Sequence, residues 1–370
     1  MPENDVSESQ KIALSQANAA LAKELEQTKA KLASAVMFTE DLQYQQTIDG
    51  PPVSVDQLWS NCTQGDKITI DSWWDTWLKN TEANAKEFDI HDTAMLEWDK
   101  FSYQPVIIAG SGPSLRKNAH LLKDRQGICL VSCLHNYGYF EDIGVKADYY
   151  LTLDAGDIVI PELSQGGAKD EEHYWKSTED KTLLASITTP PQLIRQWLGK
   201  VRWYSAAPAN MDYHAKSNAI TGGYDCFFNI GGNALAACLY FGKAILGGNP
   251  IVLVGADCAF GYNKKFHPFD SPYDKQFSGL ITAIDCFGNR VYTWPSYFGF
   301  KNWFEHVALT RPGIYINATE GGIVGAFAEG NLKQVMQMPL SMVLDGYTVH
   351  KKLPDALKKP EYKNKPVLLF

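Results

Sequence analysis

The stretch Pro105-Val106-Ile107-Ile108-Ala109-Gly110-Ser111-Gly112-Pro113-Ser114-Leu115 reads as a buried strand that enters a glycine turn and then a helix. Its short, unbroken apolar run suits a strand covered on both faces. Gly110 and Gly112 let the backbone approach a ligand, and Pro113 or Ser114 opens a helix containing Leu115, Leu121 and Leu122. Unpaired amides at such a helix start favour a phosphate. Two readings stand open, a phosphate site and a tight structural turn. The dinucleotide fingerprint is excluded, because Leu115 occupies the place of the third glycine of GxGxxG and no acid at the end of the next strand reads as a ribose clamp. A P-loop is excluded too, since no GK[ST] follows.

Further β-rich runs lie at Ile128 to Cys133, Tyr149 to Leu153, Thr182 to Ile187, Val201 to Tyr204 and Ile251 to Val254, separated by segments long enough for helices. The expected fold is α/β: a Rossmann-like, mostly parallel sheet with helices on both faces, preceded by an N-terminal helical region. In such sheets ligands bind beyond the carboxyl ends of the strands. The residues after each run are therefore the candidates. Asn136 follows the second run and suits a hydrogen bond to a base or sugar, or a loop cap. Asp154 and Asp157 follow the third, spaced to hold Mg²⁺ or a sugar hydroxyl, or to cap a turn. Gly231, Gly232 and Asn233 open a small-residue helix from Ala234 to Leu246, through close packing or by presenting amides to an anion. Asp257 ends the run Ile251 to Val254-Gly255-Ala256, and His267 lies beyond it near Lys264 and Lys265 as a candidate general base. The run Ile314 to Ile316 leads into Asn317-Ala318-Thr319-Glu320-Gly321-Gly322, a polar turn of the kind that borders a site.

Outside this core, residues 8–36 lack Pro and Gly and place Leu14, Leu21, Leu25 and Leu32 on a heptad seam. That suits a helical arm over residues 1–36, either a short coiled coil joining copies of the chain or a helix lying on its own domain. Residues 37–104 carry five of the ten tryptophans and read as mainly helical, with Trp73, Trp77 and Leu78 on one face and Asp71, Asp75 and Lys79 toward water. The expected catalytic core spans residues 105–345 and a basic, extended tail residues 346–370.

The 370-residue chain has a formal net charge of −8. Residues 1–100 hold −10 of this and residues 351–370 hold +4, leaving the middle at −2. The balance argues against a nucleic-acid partner held through phosphate charge, yet a nearly neutral core is no obstacle to a nucleotide. Seven cysteines without CxxC pairs, mostly inside apolar runs, read as reduced structural thiols. The acidic start does not read as a secretory signal, and no apolar run approaches the ~20 residues of a membrane span. A cytoplasmic protein is expected.

The order GSGPSL, a strand leading to Asn136, YLTLD, GGNALAACLYFGKAILGGNPIVLVGADCAF, a loop histidine and INATEGG resembles the 6-hydroxymethylpterin diphosphokinase-like domain. That domain also forms the core of the bacterial motility accessory factors, which resemble glycosyltransferases that place nonulosonic (sialic-like) sugars on flagellin. The resemblance covers about residues 105–330. It implies a Rossmann-like core similar to sialyltransferases that use CMP-sugars, with nucleotide contacts at Gly110, Gly112, Pro113, Ser114 and Asn136; the strand-end and helix-start reading adds Ser111, Asp154, Gly231, Gly232 and Asn233 as expected nucleotide-binding residues. Asp257 and His267 carry the catalytic roles it implies, with His306 as a competitor for the base. The implied donor is a CMP-type nucleotide sugar or ATP, and the acceptor a protein, a glycan or a pterin alcohol. Mg²⁺ on Asp154, Asp157 or Asp257 is implied for pyrophosphate transfer. A non-catalytic binding or structural subunit on the same fold is the third expectation.

Overall fold

The computed structural model describes residues 55–206, 211–228, 230–262, 265–270 and 279–351. The expected coiled-coil arm and most of the tail lie outside the described residues. The strands are β1 (Val106–Ala109), β2 (Cys129–Cys133), β3 (Tyr149–Thr152), β4 (Thr182–Ser186), β5 (Lys200–Ala206), β6 (Phe227–Phe228), β7 (Ile251–Val254), β8 (Ile281–Ile284), β9 (Arg290–Thr293), β10 (Tyr315–Asn317), β11 (Ala326–Phe327), β12 (Gly330–Asn331) and β13 (Val335–Gln337). The longer helices are α1 (Val55–Glu87), α2 (Met211–Thr221), α3 (Ala234–Tyr240), α4 (Pro295–Thr310) and α5 (Leu340–Lys351).

Nine strands form one parallel sheet in the order β13-β10-β7-β1-β2-β3-β4-β5-β6. The fold is thus the expected α/β sheet with flanking helices. Every residue of β1 and β7 is buried, as the unbroken apolar runs require of central parallel strands. From β1 the chain builds outward through β6, then returns to place β7 on the other side of β1. Connections leaving β1 and β7 therefore diverge, and a crevice opens between their carboxyl ends.

Small residues let the helix after Asn233 lie close to the sheet. It runs as α3 and continues as a π-helical turn over Phe241–Ile245, where a side-chain carbon on Gly242 would fall 2.7 Å from Ile108. The antiparallel pairs β8–β9 and β11–β12 stand apart from the main sheet. No helix among the described residues is long and apolar enough to cross a membrane.

α1 runs against α2 and α4 and is anchored to the loops that follow β3 and β4 by an asparagine ladder. Asn80 donates to the carbonyls of Ala155 and Thr188 at 2.9 and 2.8 Å, and Asn84 to those of Ile187 and Thr189 at 2.9 and 2.8 Å. The inward aromatic face differs from expectation. Trp74 and Trp77 meet Tyr213 edge-on, whereas Trp73 stays 38% exposed and lies against Gly156. The deep polar contacts of Asn80 and Asn84 set the helix's rotation, so Trp73 falls at the margin. At the other end, α5 continues helically to Lys351, through the first residues of the segment expected to be extended. Leu340 and Val343 are buried, Leu344 and Tyr347 pack on the core, and no proline interrupts before Pro354.

Replacing Asn84 by leucine strands two buried carbonyls and should lower unfolding free energy by about 2–4 kcal/mol in urea titrations. Exposed Asp71→Asn should change it by less than about 0.5 kcal/mol.

Candidate functional site

The crevice between β1 and β7 is a cavity of about 230 Å³, and four strand ends meet in its wall. Gly110–Gly112 follow β1, Cys133–His135 close β2, Leu151, Thr152 and Asp154 lie at the end of β3, and Gly255–Ala259 follow β7. Asn233, Ala234 and Leu235 enter from the start of α3, Glu162 from the turn beyond β3, and Phe266, His267, Tyr297 and Phe300 from the far side.

The glycines after β1 and β7 allow two backbones to cross. A side-chain carbon on Gly110 would lie 2.5 Å from the Gly255 carbonyl oxygen, and one on Gly255 would lie 2.6 Å from the Gly110 oxygen. Gly110 N donates to Val254 O at 2.9 Å and Gly112 N to Gly255 O at 2.8 Å. Asp257 then pins the turn: Oδ1 accepts from Ser114 N at 3.2 Å and Oδ2 from Ser114 Oγ at 2.7 Å. Only glycine fits at 112, since a side-chain carbon there would fall 2.0 Å from Asp257 Oδ2. Beyond Asp257, Cys258 holds φ at +48°, an uncommon conformation for a side-chain-bearing residue, with its carbonyl accepting from Thr293 Oγ1 at 2.6 Å.

This crossing engages most of the amides expected to face an anion. From Gly110 to Ser114, Ser111 supplies the one amide not held by these bonds, and its hydroxyl is buried without a partner. Across the cavity, Asn233 caps α3 by accepting from Ala236 N at 2.7 Å, while Ala234 and Leu235 line the cavity. Gly231 and Gly232 are not among the lining residues. A side-chain carbon on Gly231 would meet the Trp303 ring at 2.5 Å, and Gly232 adopts a φ of +85°, so packing and turn geometry account for both. Asn136 is fully buried beneath the turn and does not line the cavity. Its amide donates to Gly110 O at 3.0 Å and Ser132 Oγ at 3.1 Å, holding the glycine turn from below.

His267 lies in the cavity wall with Nδ1 2.8 Å from the Ser111 carbonyl oxygen. A carbonyl only accepts, so Nδ1 carries the proton and the neutral ring keeps its lone pair on Nε2. Its ring meets His135 edge-on at 4.3 Å and stacks on Phe269 at 5.4 Å. Burial, reinforced by His135, pushes its pKa down to about 3. His135 is likewise lowered by burial, while its Nε2 lies 2.6 Å from Gln165 Oε1. The competitor His306 is exposed on α4 and absent from the lining. Phe266, Tyr297 and Phe300 form an aromatic side, with centroids 5.2 Å apart for the first pair and 5.4 Å for the second.

The opposite end is acidic. Asp154 opens into the cavity, yet the surrounding protein withdraws it from water enough to raise its pKa. Glu162, which the sequence reading missed, is raised to about 8 by burial and then by the charge of Asp154. Two carboxylates in one crevice repel unless a proton or a cation intervenes. Asp157 is exposed and does not line the cavity. Thr152, also missed, is 2% exposed and lines the same end, with Oγ1 buried and unpartnered. Among the described lining residues none is Lys or Arg. No group of three or more His, Cys, Asp or Glu side chains among the described residues is arranged to hold a metal ion by itself.

An open parallel sheet with a polar crevice at the point where its strand order reverses defines a class of α/β proteins that bind ligands at strand ends. Within that class, residues 76–263 match the model of the family described as 6-hydroxymethylpterin diphosphokinase MptE-like, and the chain belongs to this family. Among solved structures it is similar to the MAf glycosyltransferase from Magnetospirillum magneticum AMB-1, at 16% identity and a TM-score of 0.49, over 74% of this chain and 41% of that chain. A search of curated proteins returns no match.

Burial raises the Asp257 pKa from 3.8 to about 6. The unfolded chain ionises first as pH rises, so this group's stabilising share is full below about pH 4 and lost by about pH 6, on the order of 3 kcal/mol. Asp257→Asn should therefore gain stability relative to wild type between pH 4 and pH 7 in urea titrations. A difference independent of pH would contradict this account of Asp257.

Proposed function

We propose that the protein is a nucleotide-dependent transferase that moves a group from a nucleotide-activated donor to an acceptor hydroxyl. The observation that carries this reading is the meeting, in one crevice at the strand-order switch, of the Ser111 turn, the start of α3 and a neutral histidine. The donor phosphate would lie against the Ser111 amide and those of Ala234 and Leu235, with a base or sugar ring against Phe266, Tyr297 and Phe300. Asp257 and Asn136 act as positioning residues that hold the glycine turn.

In the transfer, the acceptor hydroxyl hydrogen-bonds to Nε2 of His267. Its oxygen forms the new bond as the donor bond breaks, its proton passes to Nε2, and the departing nucleotide phosphate keeps the electron pair. Growing charge on that phosphate offsets the imidazolium that burial disfavours. The preferred donor is a CMP-type sugar, nonulosonic or other. A single phosphate carrying one negative charge suits a few backbone amides in a crevice whose described lining holds no Lys or Arg. Family membership and the Asp154–Glu162 pair support a second reading, pyrophosphate transfer from ATP to a pterin alcohol.

A thermal-shift screen with CMP, UDP, GDP and adenosine nucleotides, with and without Mg²⁺, tests the reading, because a ligand of the native state raises the melting point. CMP at 100 times its Kd should stabilise by about 2.7 kcal/mol, and Gly112→Arg should abolish the shift. Absence of any shift with every nucleotide overturns the reading and favours a non-catalytic role. Once a donor and acceptor are found, His267→Gln should lower kcat by roughly 10²–10⁴-fold with little change in donor affinity. Release of AMP from ATP with a pterin alcohol, abolished by chelator, would select the second reading.

A further inference from the structure

We propose that Gln165, Gly166 and Phe269 are positioning residues, which with His135 form a notch that fixes the plane and the tautomer of the His267 ring. The part this ring plays in transfer rests on the reading above, whereas the notch is built from contacts that need no substrate. His267 and Phe269 belong to the turn over residues 265–270, whose end residues Lys265 and Asp270 form an ion pair. Phe269 occupies the space where a side chain at position 166 would stand. A side-chain carbon on Gly166 would fall 2.3 Å from Phe269 Cδ1, and Gly166 holds φ at +72°. His267 and Phe269 are only 6% and 9% exposed, so the docked turn is packed in place.

Two strand ends supply the notch. His135 lies in the turn Leu134–Asn136 after β2, and Gln165 and Gly166 follow the turn Val159–Glu162 beyond β3. Gly138 lets the two segments touch, since a side-chain carbon there would lie 2.9 Å from Ser164 O. Gln165 Oε1 thereby reaches His135 Nε2 at 2.6 Å. An amide oxygen only accepts, so Nε2 of His135 carries the proton. Around His267, Phe269 stacks with 11° between the ring planes, while His135 and Phe266 meet it at 68° and 75°, with centroids 4.3 and 4.6 Å away. These rings restrict rotation of the imidazole, and the Ser111 carbonyl accepts the Nδ1 proton in the orientation they allow. Gln165 adds an electrostatic condition. A carboxylate at this position would favour a charged His135 beside His267, whereas the neutral amide orients the ring without drawing a second proton.

The test is nuclear magnetic resonance of the full-length protein with ¹⁵N-labelled histidines at neutral pH, the His267 signals being assigned from their loss in His267→Gln. In wild type, His267 should carry its proton on Nδ1 and His135 on Nε2. Gly166→Ala and Phe269→Ala should each convert His267 to a mixture of tautomers, and Gln165→Leu should do the same to His135. Gly222→Ala is the control for backbone strain, because Gly222 has the same φ of +72° and is equally exposed, yet a side-chain carbon there meets nothing within 4 Å. It should leave both rings unchanged. An Nε2-protonated His267 in wild type, or an unchanged His267 signal in both Gly166→Ala and Phe269→Ala, overturns the proposal. An equal response to Gly222→Ala overturns it as well. Once a donor and acceptor are found, Gly166→Ala should lower kcat by roughly 10–10²-fold with the donor KM unchanged. Nucleotide thermal shifts keep the two claims apart: the expected tautomers without stabilisation by any nucleotide sink only the transferase reading, and nucleotide stabilisation with unresponsive tautomers sinks only the notch.

Discussion

The crossing of two backbones at Gly110 and Gly255, locked by the carboxylate of Asp257 on Ser114, is the constraint on which the crevice depends. The carbonyl oxygens at this crossing leave no room for a side-chain carbon on either glycine, at 2.5 and 2.6 Å. The chains leaving β1 and β7 can therefore pass one another and diverge. Asp257 fixes the outcome by binding both the amide and the hydroxyl of Ser114. Burying this carboxylate costs stability at neutral pH, as its raised pKa indicates. Its two hydrogen bonds give that cost a structural return, since they fix the turn that carries Ser111 into the cavity.

Around this lock the crevice divides by chemistry. The Ser111 turn and the start of α3 bring backbone amides, His267 brings a neutral ring, and aromatic side chains close one side. Carboxylates gather at the other end. This polarity follows from topology. β1 and β7 flank the switch point and contribute tight turns, whereas β3 lies two strands away and ends in the more open loop bearing Asp154. The asparagine ladder of α1 joins that loop to the turn after β4, so the acidic end is braced by an element outside the sheet.

Much of the sheet was legible in the sequence because its central strands are continuous apolar runs, and burial on both faces leaves little choice of side chain. Val106 to Ala109 and Ile251 to Val254 were read with the bounds the structure shows. The two-residue strand Phe227–Phe228 and the edge strand Val335–Gln337 carry too little periodicity to stand out. The site was less legible. Glycine marks close approach without saying to what: Gly112 yields to Asp257, Gly231 to Trp303 and Gly242 to Ile108. Asn136 reads in the sequence as a polar strand-end residue for a base, a sugar or a loop cap, but its partners Gly110 and Ser132 are set by tertiary contacts. Glu162 and Thr152 were missed because one lies eight residues beyond Asp154 and the other resembles ordinary strand composition. The available signal was an acid closing the short turn after a strand that already ended in an acid.

The most direct measurement is a crystal structure of the protein soaked with the nucleotide that stabilises it best. The account predicts phosphate density between Ser111 and the Ala234–Leu235 amides, at the crossing of Gly110 and Gly255. Phosphate bound elsewhere, with this crevice filled only by solvent, would contradict it.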